Sequence, residues 1–194
     1  MFQVRIHGRG GQGVVSAAEM LSSAAFLMGR HAQAFPSFGS ERMGAPVVAF
    51  CRIDEREIRT REPVLAPNAV IIQDPTLLHQ VDVFQGLDPA GFVLINSSRS
   101  LAELGVADFL STHRGLRART LAATELALEH VGRAVPNVPL MGGFAAMSGI
   151  FDIDAVAHAV AEKFPGRLGE LNVAAARAAF LAVSSSIRGV PSHA

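Results

Sequence analysis

Three glycines near the start of the chain have the spacing of a phosphate-binding turn. Gly8, Gly10 and Gly13 fit the pattern G-x-G-x-x-G, in which the missing β-carbons allow a tight turn and the close approach of a phosphate. The first amides of a helix lack intrahelical partners and lie at the positive end of the helix dipole, so they attract anions. The same glycines also suit a sharp turn without a ligand, and the motif alone leaves both interpretations open.

The residues on either side of these glycines predict a strand before the turn and a helix after it. Phe2, Val4 and Ile6 alternate with polar residues, which is the period of a strand. The segment 14–28 is rich in Ala, Leu and Met and contains neither proline nor glycine, which favours a helix. No Asp or Glu occurs within 31–35, where one would hold a ribose hydroxyl, so the sequence disfavours an ordinary NAD site.

The candidate binding residues fall in this turn and in a later loop. Arg9 offers a fork of donors suited to phosphate. The loop 35–46 has turn formers, two aromatic residues and a charged pair but no periodicity. A loop of this length is commonly functional, although a plain surface connection is the alternative. We expect its part 37–46 to lie at a subunit interface or to line the ligand cleft. The candidate set is Gly8, Arg9, Gly10, Gly11, Gln12, Gly13, Glu41 and Arg42.

The rest of the pattern predicts one α/β domain over residues 1–194, a three-layer α/β/α sandwich. The sheet is expected to be mostly parallel with an antiparallel hairpin, and the C-terminal third is expected to be helical. Further strands are predicted at 31–35, 47–53, 68–73, 91–96 and 116–119, with 57–60 as the second arm of a hairpin that begins with 47–53. Further helices are predicted at 121–131 after a Thr120 cap, and at 140–150, 155–164 and 168–187.

The chain has no complete catalytic set of its own. Its seven histidines form no H-E-x-x-H pair, and neither G-x-S-x-G nor G-x-x-x-x-G-K-[ST] occurs. The sequence therefore predicts no catalytic residue and no metal site. Cys51 is the single cysteine, which excludes an internal disulfide and a four-thiolate iron–sulfur cluster made by this chain alone. His7, beside the turn, is either a ligand contact or a residue that bonds only the protein.

Composition favours a protein partner over nucleic acid or a membrane. Basic and acidic residues number 17 each, so the net charge is zero. Hydrophobic residues make up 49% and charged residues only 18%, and surface that is buried in a complex can be this apolar. The longest apolar stretch, 14–28, is too short to span a bilayer, and no leader is evident. We therefore expect a cytoplasmic protein.

Four segments in fixed order carry a family resemblance over almost the whole chain. They are GRGGQGVVSAAEML (8–21), QAFPSFGSERMGAPVVAFCRID (33–54), VPNVPLMGG (135–143) and GELNVAAARAAF (169–180). Together they closely resemble the gamma subunit, or fused gamma domain, of 2-oxoacid:ferredoxin oxidoreductases such as the pyruvate enzyme. One departure is Met43-Gly44, where family members commonly have Arg-Gly after the Glu-Arg pair.

The resemblance implies a subunit of an enzyme that oxidatively decarboxylates a 2-oxoacid, forms acyl-coenzyme A and passes electrons to ferredoxin or a related acceptor. Thiamine diphosphate and iron–sulfur clusters would belong to partner subunits, while this chain would be structural and would help form the coenzyme A region. Two alternatives are a free-standing α/β module that binds a nucleotide or another anion, and a purely structural assembly subunit without a ligand.

Overall fold

The chain alternates strands with helices, and its last third is helical. The computed structural model describes residues 1–37 and 43–188. The strands are β1 (Phe2–Arg9), β2 (His31–Pro36), β3 (Pro46–Asp54), β4 (Ala69–Ile72), β5 (Phe92–Asn96) and β6 (Arg117–Leu121). The helices are α1 (Val14–Leu27), α2 (Ala107–Thr112), α3 (Ala123–Val131), α4 (Asn137–Ser148), α5 (Ile153–Lys163) and α6 (Arg167–Arg188). A short 3₁₀ helix, Pro75–His79, follows β4.

The described strands form one sheet in the order β2-β3-β1-β4-β5-β6. The pairs β1–β4, β4–β5 and β5–β6 are parallel, whereas β3 is antiparallel to both of its neighbours. Five strands therefore share one direction, which confirms a mostly parallel sheet with an antiparallel pair. The strand order reverses between β1 and β4, and the carboxyl ends of strands at such a point are where α/β sheets bind ligands.

The antiparallel partner of β3 differs from the predicted one. Residues 57–60 form no strand, so the prediction of a hairpin between 47–53 and 57–60 is wrong. The strand β3 pairs with β2 and β1 instead. The buried side chain of Arg52 explains the difference, because its guanidinium donates to the carbonyl oxygens of Thr60 and Glu62. The 57–62 segment thus offers backbone acceptors to an arginine of β3 instead of pairing with β3 as a strand.

Both faces of the sheet are covered, which makes three layers of unequal thickness. Val4 and Ile71 lie in one buried cluster with residues of α1, α4, α5 and α6. Val70 and Ile72 lie on the opposite face and pack with Leu77 of the 3₁₀ helix. The continuous apolar run of β4 follows from this burial on both sides. The thinner layer consists of the 3₁₀ helix, loops and the six-residue α2.

Two helix starts differ from the predicted ones. α4 begins at Asn137 and contains Pro139 in its first turn, where the missing N–H of proline costs no hydrogen bond. Thr120 is a residue of β6, so the predicted cap of α3 is wrong. The side chain of Asn96 replaces it, because its Oδ1 accepts from the Thr124 amide at 3.1 Å.

A buried arginine and histidine lie side by side on β1. The Arg5 Nε donates to Nε2 of His7 at 3.1 Å, and its Nη2 donates to the carbonyl oxygens of Val83 and Gln85 at 3.0 and 2.7 Å. Burial and the neighbouring Arg5 charge lower the pKa of His7 to about 3, so the ring is neutral and can accept this bond. His7 therefore has a partner inside the protein.

None of the described helices is long and apolar enough to cross a bilayer.

Candidate functional site

The turn between β1 and α1 is held in shape by backbone hydrogen bonds, one of them from the Gly44 amide to the Gly10 carbonyl oxygen at 3.1 Å. The Gly10 amide donates to the Ala45 carbonyl oxygen at 2.9 Å, and the Gln12 amide donates to the Arg9 carbonyl oxygen at 3.0 Å. Two of the four amides predicted to contact an anion are therefore engaged within the chain. The other two belong to glycines in the same turn.

Gly11 and Gly13 leave their amides open at the start of α1. Within the described part of the chain, no acceptor pairs with these two amides or with those of the first turn of the helix. Their φ angles of 92° and 70° lie in the left-handed region, which glycine adopts without strain. The first turn of α1 contains no acidic residue. Unpaired N–H groups and the positive end of the dipole thus coincide, which suits an anion.

A cleft of about 190 Å³ opens beside this helix end. The starts of α1 and α4, the segment after α3 and the junction of α5 with α6 form its walls. Its polar lining consists of Gly11, Gly13, Ser16, Arg133, Asn137 and Asn172, and its apolar lining consists of Val131, Val135, Phe164 and Leu168. The site therefore combines backbone donors, one cationic side chain and two amides over an apolar floor.

Asn137 locks α4 against the glycine turn. Its Nδ2 lies 3.4 Å from the Gly13 carbonyl oxygen as a long hydrogen bond, and its Oδ1 accepts from the Val138 amide at 2.9 Å. A β-carbon on Gly13 would lie 2.4 Å from that Nδ2. Glycine is thus required here by space as well as by conformation.

Asn172 and Arg133 supply the remaining polar groups of the cleft. Asn172 is 8% exposed, and its Nδ2 donates to the Leu168 carbonyl oxygen at 2.8 Å. Its Oδ1 accepts no hydrogen bond from the described residues. Arg133 follows Gly132, whose φ of 75° ends α3, and its side chain is exposed. The side chain of Arg133 is therefore exposed to solvent at the edge of the cleft.

The sequence profile of the pyruvate ferredoxin/flavodoxin oxidoreductase family matches residues 3–182. The chain belongs to this family. Its segments 8–21, 33–54, 135–143 and 169–180 all lie within the match, and the resemblance drawn from them is confirmed.

A relative and one solved structure agree with this membership, and a second solved structure shares the fold. The common subunit gamma of the pyruvate/ketoisovalerate oxidoreductases of Pyrococcus abyssi is 44% identical over 180 residues, which cover 93% of this chain and 96% of the relative. The pyruvate oxidoreductase subunit PORC of Thermotoga maritima is 32% identical with a TM-score of 0.76, over 93% of this chain and 95% of that one. This chain is thus of the gamma type.

The second solved structure shows the fold alone. The 2-oxoglutarate:ferredoxin oxidoreductase of Magnetococcus marinus was solved with 2-oxoglutarate, coenzyme A and succinyl-CoA bound. It is 14% identical with a TM-score of 0.71, and the match covers 95% of this chain but 31% of that one. The gamma fold therefore also occurs within a longer chain.

Arg9 occupies a different place in this gamma-type chain from the one expected of a phosphate ligand. Its Nε donates to Oδ2 of Asp74 at 3.1 Å, and its Nη2 donates to Thr76 Oγ1 and Gln80 Oε1 at 2.7 and 2.8 Å. Its Nη1 donates to the Gly44 carbonyl oxygen at 3.1 Å. These contacts tie the turn to the segment after β4. The cation of the cleft is Arg133.

The other predicted residues lie in the turn or outside the described residues. Gly8 lies under α1, where a β-carbon would meet Val14 Cγ2 at 2.6 Å, so its role is close packing of strand and helix. Gln12 turns its side chain toward Asp74, with Nε2 3.0 Å from Oδ2. Of the predicted residues that the structure describes, Gly11 and Gly13 line the cleft. Glu41 and Arg42 fall in 38–42, outside the described residues, and so does the centre of the 37–46 loop.

The predicted set omitted four side chains of the cleft. Asn137 and Asn172 stand in the 135–143 and 169–180 segments, and their presence in motifs shared with the gamma subunits was the available signal. Ser16 stands in the 8–21 segment and had the same signal. Arg133 lies outside the four segments, and an arginine after a C-terminal glycine is common. Only the packing of α3, α4 and α6 beside the turn identifies Arg133.

Proposed function

We propose that this chain is the gamma subunit of a multi-subunit oxidoreductase that converts a 2-oxoacid to acyl-coenzyme A, with ferredoxin or a related protein as electron acceptor. We further propose that the cleft beside the glycine turn contacts an anionic group of coenzyme A. The supporting observation is the pair of open amides at Gly11 and Gly13, two residues that line a cleft with a cationic side chain.

The charges around the cleft favour an anion over a neutral ligand. The α1 helix has 14 residues, enough for a developed dipole, and its positive end carries no acidic side chain to neutralise it. Arg133 adds a full positive charge at the edge of the same cleft. Phosphate accepts bidentate hydrogen bonds from a guanidinium and single bonds from amides. Each such bond to a charged group contributes about 1.5–3 kcal/mol.

The partner subunits are proposed to hold the redox and thiamine chemistry. Cys51 is fully buried, and burial raises the pKa of its thiol to about 12, so it offers no thiolate to a cluster at neutral pH. Iron–sulfur clusters are therefore assigned to partner subunits. The family resemblance assigns thiamine diphosphate to them as well, so that this chain holds no cofactor alone. The 2-oxoacid is recognised by those subunits as well. One domain over 1–194 and a cytoplasmic location complete the proposal.

Substitution of Gly11 in the reconstituted complex tests the cleft. In Gly11→Val, the new side chain would cover the amides, and the nearest obstacle is the sulfur of Met43, which is 87% exposed and can move. We expect the KM for coenzyme A to rise about ten- to a hundred-fold, the equivalent of one lost hydrogen bond to a charged group. Decarboxylation of the 2-oxoacid should change little.

Gly29→Val is the matched control. Gly29 follows the other end of α1 with a φ of 75° and has no neighbour within 4 Å of an added β-carbon. It therefore carries a similar backbone strain without touching the cleft, and the KM for coenzyme A should stay unchanged. An unchanged KM in an intact Gly11→Val complex would show that the glycines serve only the fold, as in a purely structural subunit. Failure to recover cluster-bearing partners in a pull-down would instead favour a free-standing module.

A further inference from the structure

We propose that Asp74 is the positioning residue of the glycine turn, and that its carboxylate holds the turn in the shape that binds coenzyme A. This inference rests on the proposed function of the cleft. Asp74 does not line that cleft. It acts through Arg9 and Gln12, the residues that flank Gly10 and Gly11.

One carboxylate oxygen holds both flanks of the turn. Oδ2 of Asp74 accepts from Nε of Arg9 at 3.1 Å and from Nε2 of Gln12 at 3.0 Å. The Asp74 side chain is only 14% exposed and that of Arg9 is 22% exposed, so water screens the ion pair less than it screens a surface pair. One oxygen of Asp74 thus binds the residue at the end of β1 and a residue just before α1.

The side chain of Gln12 completes the enclosure of the turn. Its Oε1 accepts from the backbone amide of Arg9 at 2.8 Å. The backbone amide of Gln12 donates to the Arg9 carbonyl oxygen at 3.0 Å. Arg9 and Gln12 are therefore joined by two direct bonds and by Asp74. Glycines populate many backbone conformations when nothing restrains them. The restraint keeps Gly11 in one backbone conformation at the cleft before the ligand arrives.

The second oxygen of Asp74 has a separate role. Oδ1 accepts from the Thr76 amide at 3.0 Å and from Thr76 Oγ1 at 2.5 Å, and so caps the 3₁₀ helix. Burial acts to raise the pKa of Asp74, but hydrogen bonds from Thr76 and Gln12 and the charge of Arg9 hold it below its usual value. The group is thus a carboxylate at neutral pH, and its two oxygens can be tested separately.

Asp74→Asn in the reconstituted complex separates the two roles. The amide can retain an acceptor for Thr76 but then presents an NH₂ group to Arg9 and Gln12, which are both donors. We expect the KM for coenzyme A to rise about tenfold, comparable with one weakened hydrogen bond to a charged group. The kcat and the KM for the 2-oxoacid should stay within about twofold, because the thiamine centre lies elsewhere.

Asp152→Asn is the matched control. Asp152 caps α5 by accepting from the Asp154 amide at 2.8 Å and has no bond to the turn. Asparagine keeps an acceptor for the Asp154 amide and caps helices as well as aspartate does. The variant should therefore lose one carboxylate charge without any change in the KM for coenzyme A. Gln12→Met is the second variant, which removes one arm of the restraint and should raise that KM about threefold, a fraction of the loss expected for Asp74→Asn.

The outcomes distinguish this inference from the proposed function. A raised KM in Gly11→Val with an unchanged KM in Asp74→Asn would overturn the role of Asp74 and leave the cleft in place. An unchanged KM in both would overturn the proposed function. A lower kcat with an unchanged KM would show that Asp74 serves only assembly. If Asp74→Asn does not assemble, an unchanged KM in Gln12→Met overturns the inference.

Discussion

Acid should destabilise this chain through His7. The pKa of its buried ring is lowered to about 3, whereas an unfolded histidine titrates near 6.5. Because the folded pKa lies below the unfolded one, the unfolded state takes up a proton first as the pH falls. Stability is therefore complete above about pH 6.5 and is lost progressively between that pH and about 3. From pH 7 to pH 4 the loss attributable to His7 is about 3 kcal/mol.

His7→Gln isolates this contribution, because glutamine does not titrate and its Oε1 can still accept from Nε of Arg5. Urea unfolding of the two proteins at pH 7, 6, 5 and 4 gives the difference in the free energy of unfolding. We expect the wild-type chain to lose about 3 kcal/mol more than the variant over this range. Parallel curves would refute the buried neutral histidine, since carboxylates such as Asp74 contribute equally to both proteins.

Three further predictions follow from the cleft, the helix packing and the cysteine content. Arg133→Ala should raise the KM for coenzyme A about tenfold. Arg177→Ala, which removes an exposed cation of α6, should leave this KM unchanged. Equal effects of the two substitutions would contradict a role of Arg133 in the cleft. Gly142→Ala should lower the free energy of unfolding by about 3 kcal/mol or more, because the β-carbon would lie 2.0 Å from the Ala176 carbonyl oxygen. Gly149→Ala is the control, because the space around its β-carbon is open. It should lower the free energy of unfolding by only about 1 kcal/mol in the same measurement. The isolated chain should be colourless and inactive toward 2-oxoacids, and a purified monomer that oxidised one would contradict the assignment of the redox chemistry to partner subunits.

The sequence was sufficient for the strands and the glycine turn because their signals are local. The apolar run at 69–72 is buried on both faces, and the glycines stand where β1 ends and α1 begins. The pairing of β3 was not local. The predicted hairpin paired 47–53 with 57–60, but the guanidinium of Arg52 is buried and binds backbone carbonyl groups eight and ten residues away. A charged residue inside the fold leaves no trace in a hydrophobic pattern.

The lining of the cleft was predicted in part for the same reason. Arg9 has the chemistry of a phosphate ligand, but its partner Asp74 lies 65 residues further along the chain, and no spacing rule predicts that ion pair. Asn137 reaches Gly13 across 124 residues because α4 packs beside the start of α1. Long-range packing thus decides which polar groups of the chain meet at the cleft and which neutralise each other.

Equilibrium binding of coenzyme A and of pantetheine, its fragment without phosphate, tests whether the glycine turn contacts phosphate. Both ligands should be titrated into the wild-type and Gly11→Val complexes. We expect the variant to lose about ten- to a hundred-fold in affinity for coenzyme A and to bind pantetheine as the wild type does. An equal loss for both ligands, or no loss for either, would contradict a phosphate contact at the glycine turn.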